Sequence, residues 1–271
     1  MSTIKDLRLA VLIDADNISY SNIKKMLEEI AKYGTPTFKR IYADWTKPNV
    51  VGWKSVLLEN AITPIQQYAY TTGKNSSDSA LIIDAMDILY TGRVDGFCII
   101  SSDSDFTRLA TRLREAGMKV FGMGEKKTPP AFISACDKFI YLEILKNNEI
   151  KEKTSGSSSR LLSGSANGVK SKNQNSQNKP QTKTPTATVG TVNADLIKTI
   201  SDSINDLAED DDGYVSLAEV GKFLNKKQPD FDPRNYGFKK LFPLIKSLQQ
   251  FQIDERNTGK NNTTQVYVRT K

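Results

Sequence analysis

Along the first half of the chain, short apolar runs take turns with stretches in which apolar residues recur every three or four positions. Residues 8–13 (RLAVLI) form a near-continuous apolar run that stops at Asp14. Further runs of this kind occupy 38–43, 64–69, 97–101, 119–123 and 139–142. Helical periodicity fills the spaces between them, over 21–33 closed by Gly34, 50–60, 78–90, 106–116 closed by Gly117, and a short stretch near 130–135. Strands that are apolar on both sides, each followed by an amphipathic helix, predict a doubly wound parallel sheet covered on both faces, an α/β fold.

The last 79 residues, 193–271, carry a different pattern. Helices are predicted over 195–207, over 217–225 behind a Ser216 cap, and over 235–248, where Phe238, Leu241, Phe242, Ile245 and Leu248 share one face. Alternating segments at 252–255 and 265–269 flank Asn257-Thr258-Gly259 as a hairpin. Three helices and a two-stranded wing form a winged helix-turn-helix pattern.

The intervening stretch, 147–192, is rich in Ser, Asn, Gln, Thr and Lys, with Leu161-Leu162 as its only bulky pair. Such a composition cannot bury enough apolar surface to offset chain entropy. The expected organisation is therefore a domain at 1–146, a disordered linker at 147–192 and a second domain at 193–271. A coil of about 45 residues reaches roughly 35–40 Å, so the two domains are expected to engage two places on one ligand.

Charge changes this picture in one respect. The net +7 from 38 basic and 31 acidic residues divides into +2 for 1–146, +5 for 147–192 and zero for 193–271. The linker thus holds most of the excess and adds at most a weak, salt-sensitive attraction for polyanions. Histidine is absent and there are two cysteines. This excludes Ser-His-Asp hydrolysis, histidine acid–base chemistry and His- or Cys-built zinc sites. Cys98, inside an apolar run, reads as a small buried hydrophobe. Two distant thiols fit a reducing, cytoplasmic setting, and the first apolar run is too short to cross a membrane.

Chemistry then falls to the carboxylates. Ligands of a parallel sheet bind outside the carboxyl ends of its strands, and acids occur at those ends. Asp14 and Asp16 follow the first strand, Asp44 the second, and Asp103 with Asp105 the fourth, while Asp78 opens the helix after the third. Any one of them alone also fits a helix N-cap; the recurrence at successive strand ends is what singles them out. Crowded carboxylates raise one another's pKa values, and a divalent cation relieves that cost. Oxygen-only ligands select Mg²⁺ or Mn²⁺, with Asp14, Asp78 and Asp103 as the expected ligands. Such an ion activates water and polarises a phosphoryl oxygen, which suits phosphodiester hydrolysis. Ser101, Ser102 and Ser104 are placed to bind phosphate oxygens or orient the acids, and Lys74 to pair with a phosphate near Asp78. Asp84, 240° around the helix from Asp78, faces elsewhere.

The motifs LIDADN, KNSSDSALIIDAM and SSDSDF followed by RLREAGMKVFGMG resemble the NYN domain of the PIN-like metal-dependent nucleases, over about residues 7–143. The resemblance implies a PIN-like fold and a Mg²⁺- or Mn²⁺-dependent ribonuclease site. Mapped onto this chain, it implies Asp14 and Asn17 from the first motif, Asp44, Asp78, and Asp103 with Asp105. The segment DGYVSLAEVGKFLNKKQPDFDPRNYGFKKLFPLIKSLQQFQIDER, with the strand ending TQVYVRT, resembles the OST-HTH or LOTUS domain. That implies a winged helix binding RNA, single-stranded or structured, or docking a protein. Arg234, Lys239, Lys240 and Lys246 line the expected third helix, Tyr236 is placed to stack on a base, and Lys226, Lys227, Lys260 and Arg269 to touch phosphates. These lysines equally fit an ordinary solvated helix face, and the domain's zero net charge excludes recognition by bulk basicity.

The leading expectation is a metal-dependent endoribonuclease with an RNA-binding C-terminal domain. The alternative is a non-catalytic RNA-binding regulatory protein. A haloacid-dehalogenase-type phosphatase would use Asp14 as nucleophile and Asp16 as acid, but a helix begins too soon after Asp16 to leave room for its cap insertion. A phosphate-accepting receiver domain would want a lysine where Gly122-Met123-Gly124 stands.

Overall fold

The computed structural model describes residues 6–68, 76–145, 194–208, 212–257 and 264–271. The linker at 147–192, Lys74 and Lys260 lie outside the described residues. Six strands build the first domain: β1 (Arg8–Asp14), β2 (Thr35–Ala43), β3 (Thr63–Gln66), β4 (Gly96–Ile100), β5 (Lys119–Gly124) and β6 (Lys138–Tyr141). All five pairings are parallel, in the order β3-β2-β1-β4-β5-β6.

The apolar runs form these strands because each is covered twice. Val11 and Ile13 of β1 pack on one face with Met26 and Ile30 of α1 (Ile23–Ile30) and Trp53 of α2 (Val51–Leu57). Ala10 and Leu12, pointing the other way, pack with Leu81 and Ala85 of α3 (Ser76–Tyr90), Leu109 and Leu113 of α4 (Thr107–Glu115) and Phe132 of α5 (Pro130–Ala135). Period-two alternation thus feeds two separate cores from one strand. Gly117, with φ of 79°, closes α4 in a left-handed conformation that a side chain would resist.

The chain winds β1-β2-β3 toward one edge, then crosses to β4 and winds β5-β6 toward the other. The winding direction therefore reverses between β1 and β4. Neighbouring connections diverge at that point and leave a crevice at the carboxyl ends.

The second domain contains α6 (Ala194–Asn205), β7 (Val215–Ser216), α7 (Leu217–Lys227), α8 (Leu241–Ser247), β8 (Phe251–Asn257) and β9 (Thr264–Thr270). Leu196, Ile200, Val220, Leu224, Leu244, Ile245 and Val268 form its core. Two expectations are corrected. The helix expected over 235–248 is broken: a 3-10 turn, Pro233–Tyr236, ends at Gly237 with φ of 86°, and α8 begins only at Leu241. Lys239 and Lys240 therefore precede the helix instead of lining it. The wing also has a third strand, because β7 pairs with β9 to give the antiparallel order β7-β9-β8.

Phe97 of β4 is fully buried in the second core. Phe97→Ala is expected to destabilise the fold by about 3–5 kcal/mol, read as a lower urea midpoint with unchanged slope. Leu58→Ala, at a side chain 92% exposed, is expected to stay within about 0.5 kcal/mol of wild type.

Candidate active site

Asp14 is the last residue of β1, and Ser101 follows β4 directly. The register Ile13↔Ile100 sets the two side by side at the point where the winding reverses. Asp14 is 1% exposed, and its Oδ2 accepts from Ser101 Oγ at 2.7 Å and from Asn17 Nδ2 at 2.6 Å. Its Oδ1 accepts from the Asp16 amide at 3.2 Å. Burial pushes the Asp14 pKa up, and these three donors pull against it. The same Ser101 Oγ accepts from the Asp103 amide at 3.0 Å, carrying the order of Asp14 across to the next loop.

That loop is held in a tight turn by Asp103, whose Oδ1 accepts from the Asp105 amide at 2.9 Å. The expected N-cap role is thus real, and it is combined with a second arrangement. Carboxylate oxygens of Asp78, Asp103 and Asp105 lie within 4.8 Å of one another. Asp78 comes from the first turn of α3 and is 7% exposed. Burial, reinforced by the charges of Asp14, Asp103, Asp105 and Asp16, pushes its pKa up to about 7. Converging carboxylates on two elements, with no nitrogen or sulfur donor, are what a hard divalent cation requires, so the donor set fits Mg²⁺ or Mn²⁺.

The remaining acids divide by position. Asp16 is exposed and accepts from Asn49 Nδ2 at 3.0 Å and Ser77 Oγ at 3.2 Å, so it links the β1 loop to α3. Asp44 is buried beyond β2, where its Oδ1 accepts from Thr46 Oγ1 at 2.6 Å and Gln66 Nε2 at 3.1 Å. It is not part of the three-carboxylate group. Asp84 pairs with Arg40 and accepts from Tyr42 Oη, tying α3 to β2. The alternation of β2 holds the signal for this triad, since Arg40 and Tyr42 are two apart and share a face. Ser102 Oγ accepts from the Glu125 amide at 2.8 Å, bracing the end of β5, and Ser104 is exposed.

In the second domain, Lys239, Lys240 and Lys246 are exposed. Tyr236 is half-buried, its ring 6.3 Å from that of Phe231. Three basic groups expected to face nucleic acid are engaged within the protein. Arg234 is ion-paired with Glu29 and Asp232. Arg269 donates to Gln252 Oε1 and the Asp212 carbonyl and lies over Tyr214. Lys227 pairs with Asp206. The role of Glu29 was not legible in advance, because its partner is 205 positions away.

An acidic crevice at the reversal point of a six-stranded parallel sheet defines a PIN-like α/β domain. The NYN domain profile matches residues 8–143, and the chain belongs to the NYN family, which is a family of PIN-like nucleases. The profile of the OST-HTH/LOTUS domain, a domain that binds RNA, matches residues 191–263. No curated protein matches the chain. Among solved structures, a protein of unknown function from Vibrio parahaemolyticus is similar at 19% identity and a TM-score of 0.43, covering 52% of this chain and 96% of that one. An uncharacterized protein from Nitrosomonas europaea is 33% identical with a TM-score of 0.27, over 37% of this chain and 91% of that one. A fragment of a Chromobacterium violaceum protein is 31% identical with a TM-score of 0.24, over 28% and 78%. Among the described residues, no helix is long and apolar enough to cross a membrane.

A carboxyl group whose folded pKa is raised favours the protonated state, so it removes stability as pH climbs from the usual aspartate value through the folded pKa. With Asp78 at about 7, that loss falls between roughly pH 4 and pH 7. In chelator-treated buffer above pH 7, Asp78→Asn is expected to melt a few degrees higher than wild type, at about 2–4 °C per kcal/mol. The gap should close toward pH 4 in a calorimetric series.

Proposed function

We propose that this protein is a metal-dependent endoribonuclease that hydrolyses RNA phosphodiesters at the β1/β4 crevice, with the C-terminal domain contributing to RNA binding. The observation carrying this reading is the gathering of Asp78, Asp103 and Asp105 at the reversal point of a nuclease-family fold. Asp78, Asp103 and Asp105, with Asp14 beside them, would hold Mg²⁺ or Mn²⁺. The ion, when bound, would supply neutralisation of phosphoryl charge and a more acidic water. Asp14, which positions the Asp103 loop through Ser101 and whose Oδ1 accepts only the Asp16 amide, keeps a lone pair with which it would also serve the ion. Asp16 holds the β1 loop against α3. Ser104, exposed beside the carboxylates, would bind a phosphate oxygen, as would Lys74. Asp44, locked by Thr46 and Gln66, shapes the neighbouring wall.

The division at 146/147 and 192/193 and a cytoplasmic setting belong to the same proposal. The latter is supported by two free thiols, Cys98 and Cys136, both buried.

Cleavage of mixed single-stranded and hairpin RNA tests the reading. Asp78→Asn and Asp103→Asn are each expected to lower the rate in Mg²⁺ or Mn²⁺ by about 100-fold or more. Ser101→Ala, which loosens only the support, is expected to lower it by about 10–100-fold. EDTA should abolish cleavage. RNA left intact by wild type in both metals, despite tight binding, would instead establish a non-catalytic RNA-binding regulator.

On the C-terminal domain, Lys239 and Lys240 would contact phosphates. Removing both (Lys239→Ala with Lys240→Ala) is expected to flatten the salt dependence of single-stranded RNA binding by about 1.4 in log–log slope, from about 0.7 per phosphate contact. Fluorescence anisotropy across a salt series reads this directly.

A further inference from the structure

β6 is an edge of the sheet, and the outward amides of an edge strand invite pairing with other chains unless something covers them. Here they are covered by the C-terminal domain. The Phe139 amide donates to the Pro229 carbonyl at 2.9 Å, a backbone bond between the two domains. Around it, Tyr141 Oη donates to Asp230 Oδ2 at 2.8 Å. Lys138 Nζ donates to Asn225 Oδ1 at 2.6 Å and to the Phe231 carbonyl at 2.5 Å. Arg234 then reaches across to the end of α1, where its guanidinium meets Glu29 in two bonds of 2.7 and 2.9 Å while also holding Asp232 at 2.7 Å. Glu29 and Asp232 are 4% and 7% exposed.

These contacts are charge-balanced. Glu29, Asp230 and Asp232 face Arg234, Lys138 and, through Glu29, Lys32. Asp232, two residues from Arg234 on the same domain, fixes the guanidinium fork, and Glu29 on α1 meets that fork in two bonds, the kind of orientation that bidentate arginine pairs specify.

We propose that the segment from Gln228 to Tyr236 is an intramolecular docking element, holding the C-terminal domain on the β6 edge of its own chain so that the two domains move as one body. The bonds named above are polar, of a kind that contributes modestly to association between separate molecules. The covalent connection favours the chain's own domain, since a tethered partner is present at about millimolar effective concentration. The occupant of the β6 edge is therefore this chain's own second domain. The docking also withdraws Arg234 from any ligand and leaves Lys239 and Lys240 exposed.

Hydrogen exchange on the full-length protein, without RNA or metal, tests this independently of nuclease activity. The Phe139 amide is expected to be protected in wild type. Glu29→Ala and Arg234→Ala should each speed its exchange by about tenfold or more, and the double variant should exchange no faster than the faster single one. Glu29→Ala alters the outer end of α1 only, so it separates undocking from misfolding of the second domain should Arg234→Ala unfold it. An unprotected Phe139 amide in wild type, or unchanged protection in Glu29→Ala, overturns the proposal. So does protection that fades on dilution alongside a dimer mass in light scattering, which would assign the edge to a second copy.

Discussion

Like charges held close together, from buried Asp14 and Asp78 to exposed Asp105, are the constraint around which the first domain is arranged. Asp14, Asp78, Asp103 and Asp105 come from three separate elements, and each would be more comfortable apart. The strands override that preference. β1 and β4 are zipped by apolar residues from Leu9↔Gly96 to Ile13↔Ile100, and burial of both sheet faces leaves no register in which Asp14 avoids Ser101. Local hydrogen bonds then offset part of the repulsion. Asp14 takes three donors and Asp103 takes the Asp105 amide, while Asp78, pushed up first by burial and then by its acidic neighbours, has a pKa of about 7. Stability of the sheet thus sustains a site that is unfavourable on its own, as expected where a site is built to receive something.

The parts of this arrangement that were legible in sequence are the ones governed by short-range pattern. Apolar runs marked the strands and with them the edge to which Asp14, Asp103 and Asp105 belong, and the periodicity of the third helix put Asp78 in its first turn. How the acids divide among roles was not. Asp44 follows a strand just as Asp14 does, but Gln66 at the end of β3 donates to it and it stands outside the three-carboxylate group. Periodicity does not report which neighbouring strand carries a glutamine opposite an aspartate. The expected third helix of the second domain failed for a related reason. Phe238, Leu241, Phe242, Ile245 and Leu248 all do pack inward, so the apolar pattern was correct, but Gly237 in the left-handed region interrupts the backbone that would carry it as one helix. The glycine was visible; its positive φ is imposed by the turn before it.

Arg234 shows the limit more sharply. In sequence it stands among lysines, and a basic residue in such a segment reads as a phosphate contact. In the fold it is a structural cation, and its burial between Glu29 and Asp232 converts a presumed nucleic-acid face into a seam between domains. A basic side chain can serve a polyanion only if its own protein has not already neutralised it. On that criterion Arg256, between Asp212 and Asp254 with Tyr214 and Tyr267 stacked on it, is also committed. The exposed lysines ahead of and along α8, together with Lys222 and Lys226 on α7, remain.

This redistribution changes how the chain's charge is to be understood. The C-terminal domain has no net charge, and several of its cations are consumed internally, so bulk attraction cannot guide RNA to it. Selection by such a domain must rest on a few placed groups and on their distance from the carboxylates at β1 and β4. A domain free on a tether would sample many such distances, whereas one seated on β6 presents a single one. β6 is two strands from β4, a lateral separation of roughly 10 Å at ordinary strand spacing, so the seated domain stands close to the crevice and not across the molecule from it. Fixed proximity, more than positive charge, is the property by which the second domain can influence what reaches the acids.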